Sequence, residues 1–282
     1  MAIAKQTIQV GNLEWFYREA EPETSTDKLP ILFLHGLVSQ SYSWSVILEE
    51  VAAKGYRAIA PDWIGSGFST KPDKRDFAYT PDSFIKALEA FLATLELPKF
   101  HLVVQGFLGS VGLQYALRHP EQIERLFVLN APLSPDAKLP WKIKQMGLPF
   151  VGDMMTQDPL LVDRTLEGGS GYVLEDKDLD VYRRPFLQAS ATGRSLMATI
   201  KNLQLKEATA EIVSGFQTWE HPTEILWGTA DPWLDVSQAE NFAKSVSGSV
   251  LVKLEKAGHY PQDHWPQEIS ESLLLFLRKQ AV

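Results

Sequence analysis

The chain has 282 residues, 45% of them hydrophobic and 22% charged, with no cysteine and a formal net charge of -8. The absence of thiols excludes a disulfide framework, a cysteine nucleophile and thiolate metal sites. An acidic balance with no dense basic run, only pairs such as Arg183-Arg184, argues against nucleic-acid and anionic-membrane partners. No apolar segment approaches the ~20 residues needed to span a bilayer. The start, MAIAKQTIQVGNLEWFY, lacks the apolar core of a signal peptide, so a cytoplasmic location is expected.

In chain order, residues 6–18 alternate well enough for an edge strand or hairpin, and the polar stretch EAEPETSTDKL (19–29) reads as a surface loop. ILFL (31–34) is a short buried strand ending at His35-Gly36. A helix is expected from Trp44 to Ala53, a strand from Tyr56 to Ala60, and a turn across 61–67. Thr80-Pro81-Asp82 opens a helix running to about Leu95, with Pro81 in its first turn. His101–Gln105 reads as a strand, Gly109–Arg118 as a helix stopped by Pro120, and Leu126–Leu129 as a strand. Continuous apolar strands separated by helices predict a mostly parallel sheet covered on both faces.

Residues 132–220 break that rhythm, with seven glycines, six prolines, helix-like patches at 183–191 and 195–206, and little strand pattern. The rhythm returns with a strand at 224–227, a helix near 237–245, a strand at 250–254 and a final helix around 266–279. The expected organisation is an α/β core made of 1–131 and 221–282, with a helical cap at 132–220 inserted into it.

Five segments carry a family resemblance: LFLHG (32–36), APDWIGSGFSTKP (60–72), LVVQGFLGSVGL (102–113), WGTADP (227–232) and AGHYPQDHWP (257–266). In this order and spacing the chain resembles the α/β-hydrolase superfamily, most closely its capped branch near haloalkane dehalogenases and epoxide hydrolases. The resemblance implies an α/β-hydrolase fold with a nucleophile on a sharp strand-to-helix turn. It places Gly106, which has no side chain, at that nucleophile position. It implies that Asp231 orients His259 as the catalytic base, and that the backbone N–H groups of Leu37 and Phe107 form an oxyanion hole. Ser110, one turn into the following helix, is the alternative nucleophile, but there a serine is expected to cap or pack. Gln105 sits at the strand end, toward the cavity rim. Asp235 and Asp263 are rival acids, and His264 lies five residues past His259. His35 and Asp62 are read as organisers of their loops, and His101 and His119 as structural or exposed.

The departures from the family pattern limit the chemistry. Gly106 replaces the acid a covalent dehalogenase or epoxide hydrolase needs and the serine an acyl-enzyme needs. Phe107 stands where a halide-gripping tryptophan would, and Leu37 where an asparagine would often assist. Tyr172 and Tyr182 are cap tyrosines, which decide little without a nucleophile. Three readings follow. One is a cofactor-free, hydrolase-like enzyme using Asp231–His259 as a general-base pair on a small hydrophobic substrate. The second is an inactive small-ligand-binding or regulatory homologue. The third is a conventional hydrolase engineered to glycine at the nucleophile. Trp141, Phe150, Tyr172, Phe186, Phe216 and Trp219 are expected to pack the cap on the core or to line an apolar pocket. Residues 137–155 are read as a helical, mobile or oligomer-forming surface. No metal-ligand spacing or phosphate-binding loop is visible, so no metal or other cofactor is expected, and the chain is expected to be a monomer or homodimer.

Overall fold

Glycine and alternating side chains at residues 4–20 make a hairpin, and the remaining strands, apart from the half-exposed 249–254, are too apolar to face water. In the computed structural model, which describes residues 2–24 and 26–279, the hairpin is Ala4–Val10 (β1) and Leu13–Ala20 (β2). The following strands are Ile31–Leu34 (β3), Ala58–Pro61 (β4), Phe100–Gln105 (β5), Ile123–Leu129 (β6), Thr223–Gly228 (β7) and Ser249–Leu254 (β8). They form one eight-stranded sheet in the order β1-β2-β4-β3-β5-β6-β7-β8. The pairs β1·β2 and β2·β4 are antiparallel and the others parallel. β3, β4, β5 and β7 are buried along their whole length, as strands covered on both faces must be.

The two-residue period of a strand sorts these apolar side chains between the faces. Leu32, Leu34, Leu102 and Val104 join one core, with residues of Pro81–Thr94 (α2) and Gly109–Arg118 (α3). Ile31, Phe33 and Val103 join the other, against Ser45–Ala52 (α1) and the C-terminal helix Pro266–Arg278. Thr80 caps α2: its side chain accepts from the Ser83 N–H, and Pro81 occupies the first turn as the sequence predicts.

Between β6 and β7 the chain forms a helical cap: Trp141–Met146 (α4), Val151–Thr156 (α5), Leu161–Ser170 (α6), Asp176–Gln188 (α7), Ser190–Asn202 (α8) and Leu205–Gly215 (α9). After β7 come Ser237–Ser245 (α10), then β8, then Pro266–Arg278 (α11). The cap differs from expectation at two joints. The helix expected over 183–191 is broken at Ala189, whose φ of -149° and ψ of 120° are extended. The one expected over 195–206 stops at Asn202, because Gln204 adopts φ +49°, a left-handed conformation that a right-handed helix cannot continue. Neither break involves glycine, so turn composition gave no signal. The loop read over 19–29 begins later than expected, since β2 runs to Ala20, and Ser25 within it lies outside the described residues.

The sheet brings the segments of the family pattern to one edge. His35-Gly36 follows β3, Gly106 follows β5, Asn130 follows β6 and Asp231 follows β7, all at carboxyl ends of parallel strands. His259 lies in the loop after β8.

Candidate active site

The turn from β5 to α3 takes three residues, and Gly106 makes it with φ +67°. Its N–H donates to the Leu129 carbonyl at 3.2 Å, and its own carbonyl accepts from the Gly109 N–H at 2.9 Å. An added Cβ at Gly112 would sit 2.5 Å from Val104 Cγ1, so the helix can return this close to its strand only with glycine there. A Cβ built on Gly106 would lie 3.3 Å from His259 Nε2 and 3.0 Å from Gly36 Cα. Position 106 is therefore aimed at the imidazole, and its backbone is pressed against the Gly36 backbone.

The imidazole is fixed from behind. His259 Nδ1 and Asp231 Oδ2 are 2.8 Å apart, with both side chains excluded from solvent. Asp231 accepts at both oxygens: Oδ2 also receives Asn130 Nδ2 at 2.8 Å, while Oδ1 receives the N–H groups of Trp233 at 2.8 Å and Leu234 at 3.1 Å. With Asp231 ionised, Nδ1 is the donor, and the neutral ring keeps its lone pair on Nε2, facing Gly106. Asn130 is itself clamped to β7, accepting from the Gly228 N–H at 2.9 Å and donating to the Gly228 carbonyl at 3.1 Å. Three aromatic rings enclose His259: Phe107 stacked at 5.1 Å between centroids, Trp233 at 4.7 Å, and Tyr260 edge-on at 5.0 Å.

Gln105 is fully buried and does more than rim a cavity. Its amide nitrogen donates to the His259 carbonyl at 2.6 Å, and its oxygen accepts from the Gly36 N–H at 3.1 Å. One side chain thus ties the strand end, the histidine loop and the loop after β3 together. The backbone N–H groups of Leu37 and Phe107 donate no hydrogen bond among the described residues. The Leu37 carbonyl is held by the Tyr260 hydroxyl at 3.0 Å.

The other candidates have separate placements. Ser110 is buried in α3, and its hydroxyl donates to the Phe107 carbonyl at 2.8 Å. His35 Nε2 accepts from the Trp63 N–H at 3.1 Å and its Nδ1 meets the Gly36 carbonyl at 2.8 Å, while burial lowers its pKa. Asp62 Oδ1 accepts from the Ser41 N–H and Oδ2 from the Phe68 N–H, both at 2.7 Å. A Cβ at Gly67 would fall 2.0 Å from that Oδ2, which explains the glycine. Asp235 is exposed and accepts from the Ser237 N–H at 2.9 Å, at the start of α10. Asp263 receives the Tyr182 hydroxyl at 2.5 Å, and Tyr172 donates to the Lys256 carbonyl at 3.3 Å. Burial lowers the pKa of His264. His101 is buried with its pKa pushed down to about 4, first by desolvation, and half-buried His119 meets Glu89 at 2.8 Å.

The cap closes over this edge through backbone contact. The His259 N–H donates to the Gly169 carbonyl at the end of α6, at 2.8 Å. A Cβ on Gly169 would come within 2.6 Å of both the Trp233 and Tyr260 rings. His259 is only 1% exposed. Surface clefts of about 450, 1060 and 510 Å³ lie elsewhere, without His259, Asp231 or Gly106 in their linings. The cap aromatics divide: Phe216 and Trp219 are buried and Phe216 packs on Phe242, whereas Trp141 and Phe150 stand in solvent. No group of three or more His, Cys, Asp or Glu side chains is placed to hold a metal ion among the described residues. Sequence reasoning missed Asn130 and Trp233. The available signal was position, since Asn130 follows β6 at the same sheet edge as the other site residues.

Sequence comparison finds relatives along most of this chain. It is 27% identical over 90% of its length to epoxide hydrolase 1 of Caenorhabditis elegans, of which it spans 66%. It is 24% identical to cis-3-alkyl-4-alkyloxetan-2-one decarboxylase of Xanthomonas campestris, with 91% of each protein covered. A haloalkane dehalogenase of Sphingobium indicum is 27% identical, with 89% of this chain and 88% of that protein covered. In three dimensions, a haloalkane dehalogenase from Bradyrhizobium elkani superposes with a TM-score of 0.86 at 24% identity, covering 98% of both chains. The alpha/beta hydrolase fold family matches residues 30–264, which hold the elbow, Asp231 and His259 together. The chain belongs to the α/β-hydrolase fold family.

Proposed function

We propose that this protein is a cofactor-free, hydrolase-like enzyme in which His259, held by Asp231, acts as a general base without covalent attack from position 106. The observation that carries the reading is the direction of the ring: Nδ1 is committed to Asp231, and Nε2 lies 3.3 Å from where a side chain at 106 would begin. A base so placed takes a proton from a water molecule or from the substrate, and the Asp231 carboxylate stabilises the imidazolium that forms. Developing negative charge on an acyl or alkoxide oxygen would be met by the N–H groups of Leu37 and Phe107. The aromatic enclosure of His259 favours a small, largely apolar substrate, admitted by movement of cap helix α6 away from the His259 loop. The relatives named for an epoxide, an alkyl-substituted oxetanone and haloalkanes support small electrophilic substrates of that kind. Ser110 has no part in this mechanism, because its hydroxyl is spent within α3.

The test is turnover of short-chain aryl esters, lactones and small epoxides by the protein as it stands, by His259→Ala, and by Gly106→Ser and Gly106→Asp. General-base removal should lower turnover about 10²- to 10⁴-fold. Silence in the unaltered protein, with activity arising only in the position-106 variants, overturns the proposal in favour of ligand binding without chemistry. Those variants also strain the elbow, because their Cβ meets Gly36 Cα at 3.0 Å and the backbone holds φ +67°.

A further inference from the structure

The base and the oxyanion donors reach the site on separate segments. His259 lies in the loop after β8, Leu37 in the loop after β3, and Phe107 in the turn after β5. Their relative placement matters, because a displacement of about 1 Å can cost about 10²-fold in rate. Asp231 holds the imidazole at Nδ1, which fixes the ring but not its distance from the loop after β3.

Gln105 supplies the missing link. It ends β5, is fully buried, and immediately precedes Gly106. Its Nε2 donates to the backbone carbonyl of His259 at 2.6 Å, and its Oε1 accepts at 3.1 Å from the N–H of Gly36, one residue before Leu37. One planar amide thus bridges three segments. A second tie runs beside it, from the Tyr260 hydroxyl to the Leu37 carbonyl at 3.0 Å.

The chemistry of the bridge is selective. An amide end carries a donor and an acceptor side by side, and here the donor must face a carbonyl and the acceptor an N–H, so one orientation alone works. A Cβ on Gly36 would fall 2.5 Å from Gln105 Oε1 and 3.1 Å from Gly106 Cα, so glycine at 36 is what lets amide and elbow lie this close. Neither the Gly36 N–H nor the His259 carbonyl has another partner among the described residues, and both residues are buried. Loss of the amide therefore orphans two buried polar groups and frees the base loop from the oxyanion loop.

We infer that Gln105 is a positioning residue, whose side-chain amide sets the distance between the His259 imidazole and the Leu37 N–H. It acts through the two backbones it joins. The catalytic side of this assignment rests on the reading of His259 as a base and Leu37 as an oxyanion donor; the geometric side does not.

Two variants test it. Gln105→Met keeps the reach of the side chain and removes both hydrogen bonds. Gln105→Glu contains its own switch: the protonated carboxyl offers an O–H donor and a carbonyl acceptor, as the amide does, whereas the carboxylate has no donor for the His259 carbonyl. Burial favours the protonated form and carries it above the usual carboxylate range. The titratable groups on the joined segments are His35, Tyr260 and His259, with Asp231 behind it. The native protein shares all of these, so the ratio of variant to native kcat reports the new carboxyl.

On whichever ester, lactone or epoxide turns over, Gln105→Met should lower kcat about 10- to 100-fold and leave KM within about twofold. Gln105→Glu should approach the native kcat near about pH 5 and fall at least about tenfold below it by about pH 9. An unchanged kcat in Gln105→Met, a loss that falls wholly on KM, or a Gln105→Glu ratio flat across that range overturns the inference. Thermal unfolding checks that both variants fold, and should Gln105→Met not fold, the pH response of Gln105→Glu decides. Silence of the native protein on every substrate removes the general-base reading alone. The proton resonance of His259 Nδ1–H then decides, since it needs no substrate. It should shift or broaden in Gln105→Met, and in Gln105→Glu as pH rises; a resonance unmoved in both overturns the inference.

Discussion

Two aspartates flank His259 within one loop system, and they are treated in opposite ways. Asp231 accepts from four donors: Asn130 Nδ2, His259 Nδ1 and the N–H groups of Trp233 and Leu234. Asp263 is just as buried, yet among the described residues it accepts only from the Tyr182 hydroxyl, and its Oδ2 has no partner. Burial pushes the Asp263 carboxyl from 3.8 up to about 7, against the Tyr182 hydrogen bond, which pulls it down. Two carboxylates in one region thus differ in the number of donors aimed at them, and each donor replaces hydration that burial removes. The well-supplied aspartate serves the imidazole, and the poorly supplied one fastens cap helix α7 to the loop after β8.

The hardest test of this contrast is Asp231→Asn. An amide offers one acceptor oxygen, so whichever way it turns, an NH₂ group faces donors that Asp231 now satisfies. Turnover should fall on the order of 10³-fold or more, read as kcat on whichever substrate the panel yields. An Asn variant with near-normal kcat would show that the imidazole is not held in place by this carboxylate.

Asp263 should reveal itself through pH. Its native form keeps a proton that the unfolded chain releases above about pH 4. Stability should therefore be highest at acid pH, decline as pH rises from about 4 towards about 7, and level off once the native carboxyl also ionises. The slope from this one group reaches about 1.4 kcal/mol per pH unit at most. Asp263→Asn lacks this slope, so the stability difference between the two proteins should change across that window in denaturant unfolding. A difference that does not vary with pH would mean that Asp263 is ionised in the folded protein throughout.

A smaller loss is expected for Asn130→Leu, which strips one donor from Asp231 and leaves the Gly228 N–H and carbonyl without their side-chain partner. About 1.5–3 kcal/mol of stability should go, with roughly a tenfold drop in turnover. Turnover unaffected by this change would place the burden of holding Asp231 on Trp233 and Leu234. Smallest of the set is Gly169→Ala. Its methyl group would press on the rings of Trp233 and Tyr260 at 2.6 Å, loosening the cap where it meets His259. We expect a loss of about 1–3 kcal/mol in thermal unfolding, with a raised KM if the cap seat governs substrate admission.

Much of the core is legible in the amino-acid sequence. β3 at Ile31–Leu34, α3 at Gly109–Arg118 and α10 at Ser237–Ser245 fall on the residues that apolar runs and breakers predict. These segments are buried strands or helices with strong stops, so local pattern and tertiary demand agree. The breaks at Ala189 and Gln204 were not legible, since nothing in alanine or glutamine announces a helix end. Nor was the role of Gln105, whose two hydrogen bonds reach residues 69 and 154 positions away.

By itself, then, the sequence determined the alternation of strands and helices, the inserted cap, and the order in which the elbow, an aspartate and a histidine return to one sheet edge. Hydrophobic period and glycine placement are local properties, and they are enough for that. Only the tertiary structure decided which aspartate receives four donors and which receives one, which cap aromatics are buried and which face solvent, and which ring atom of His259 stands opposite Gly106. Those outcomes depend on what distant segments bring within about 3 Å of one another, and hydrogen bonding and burial act only at that range.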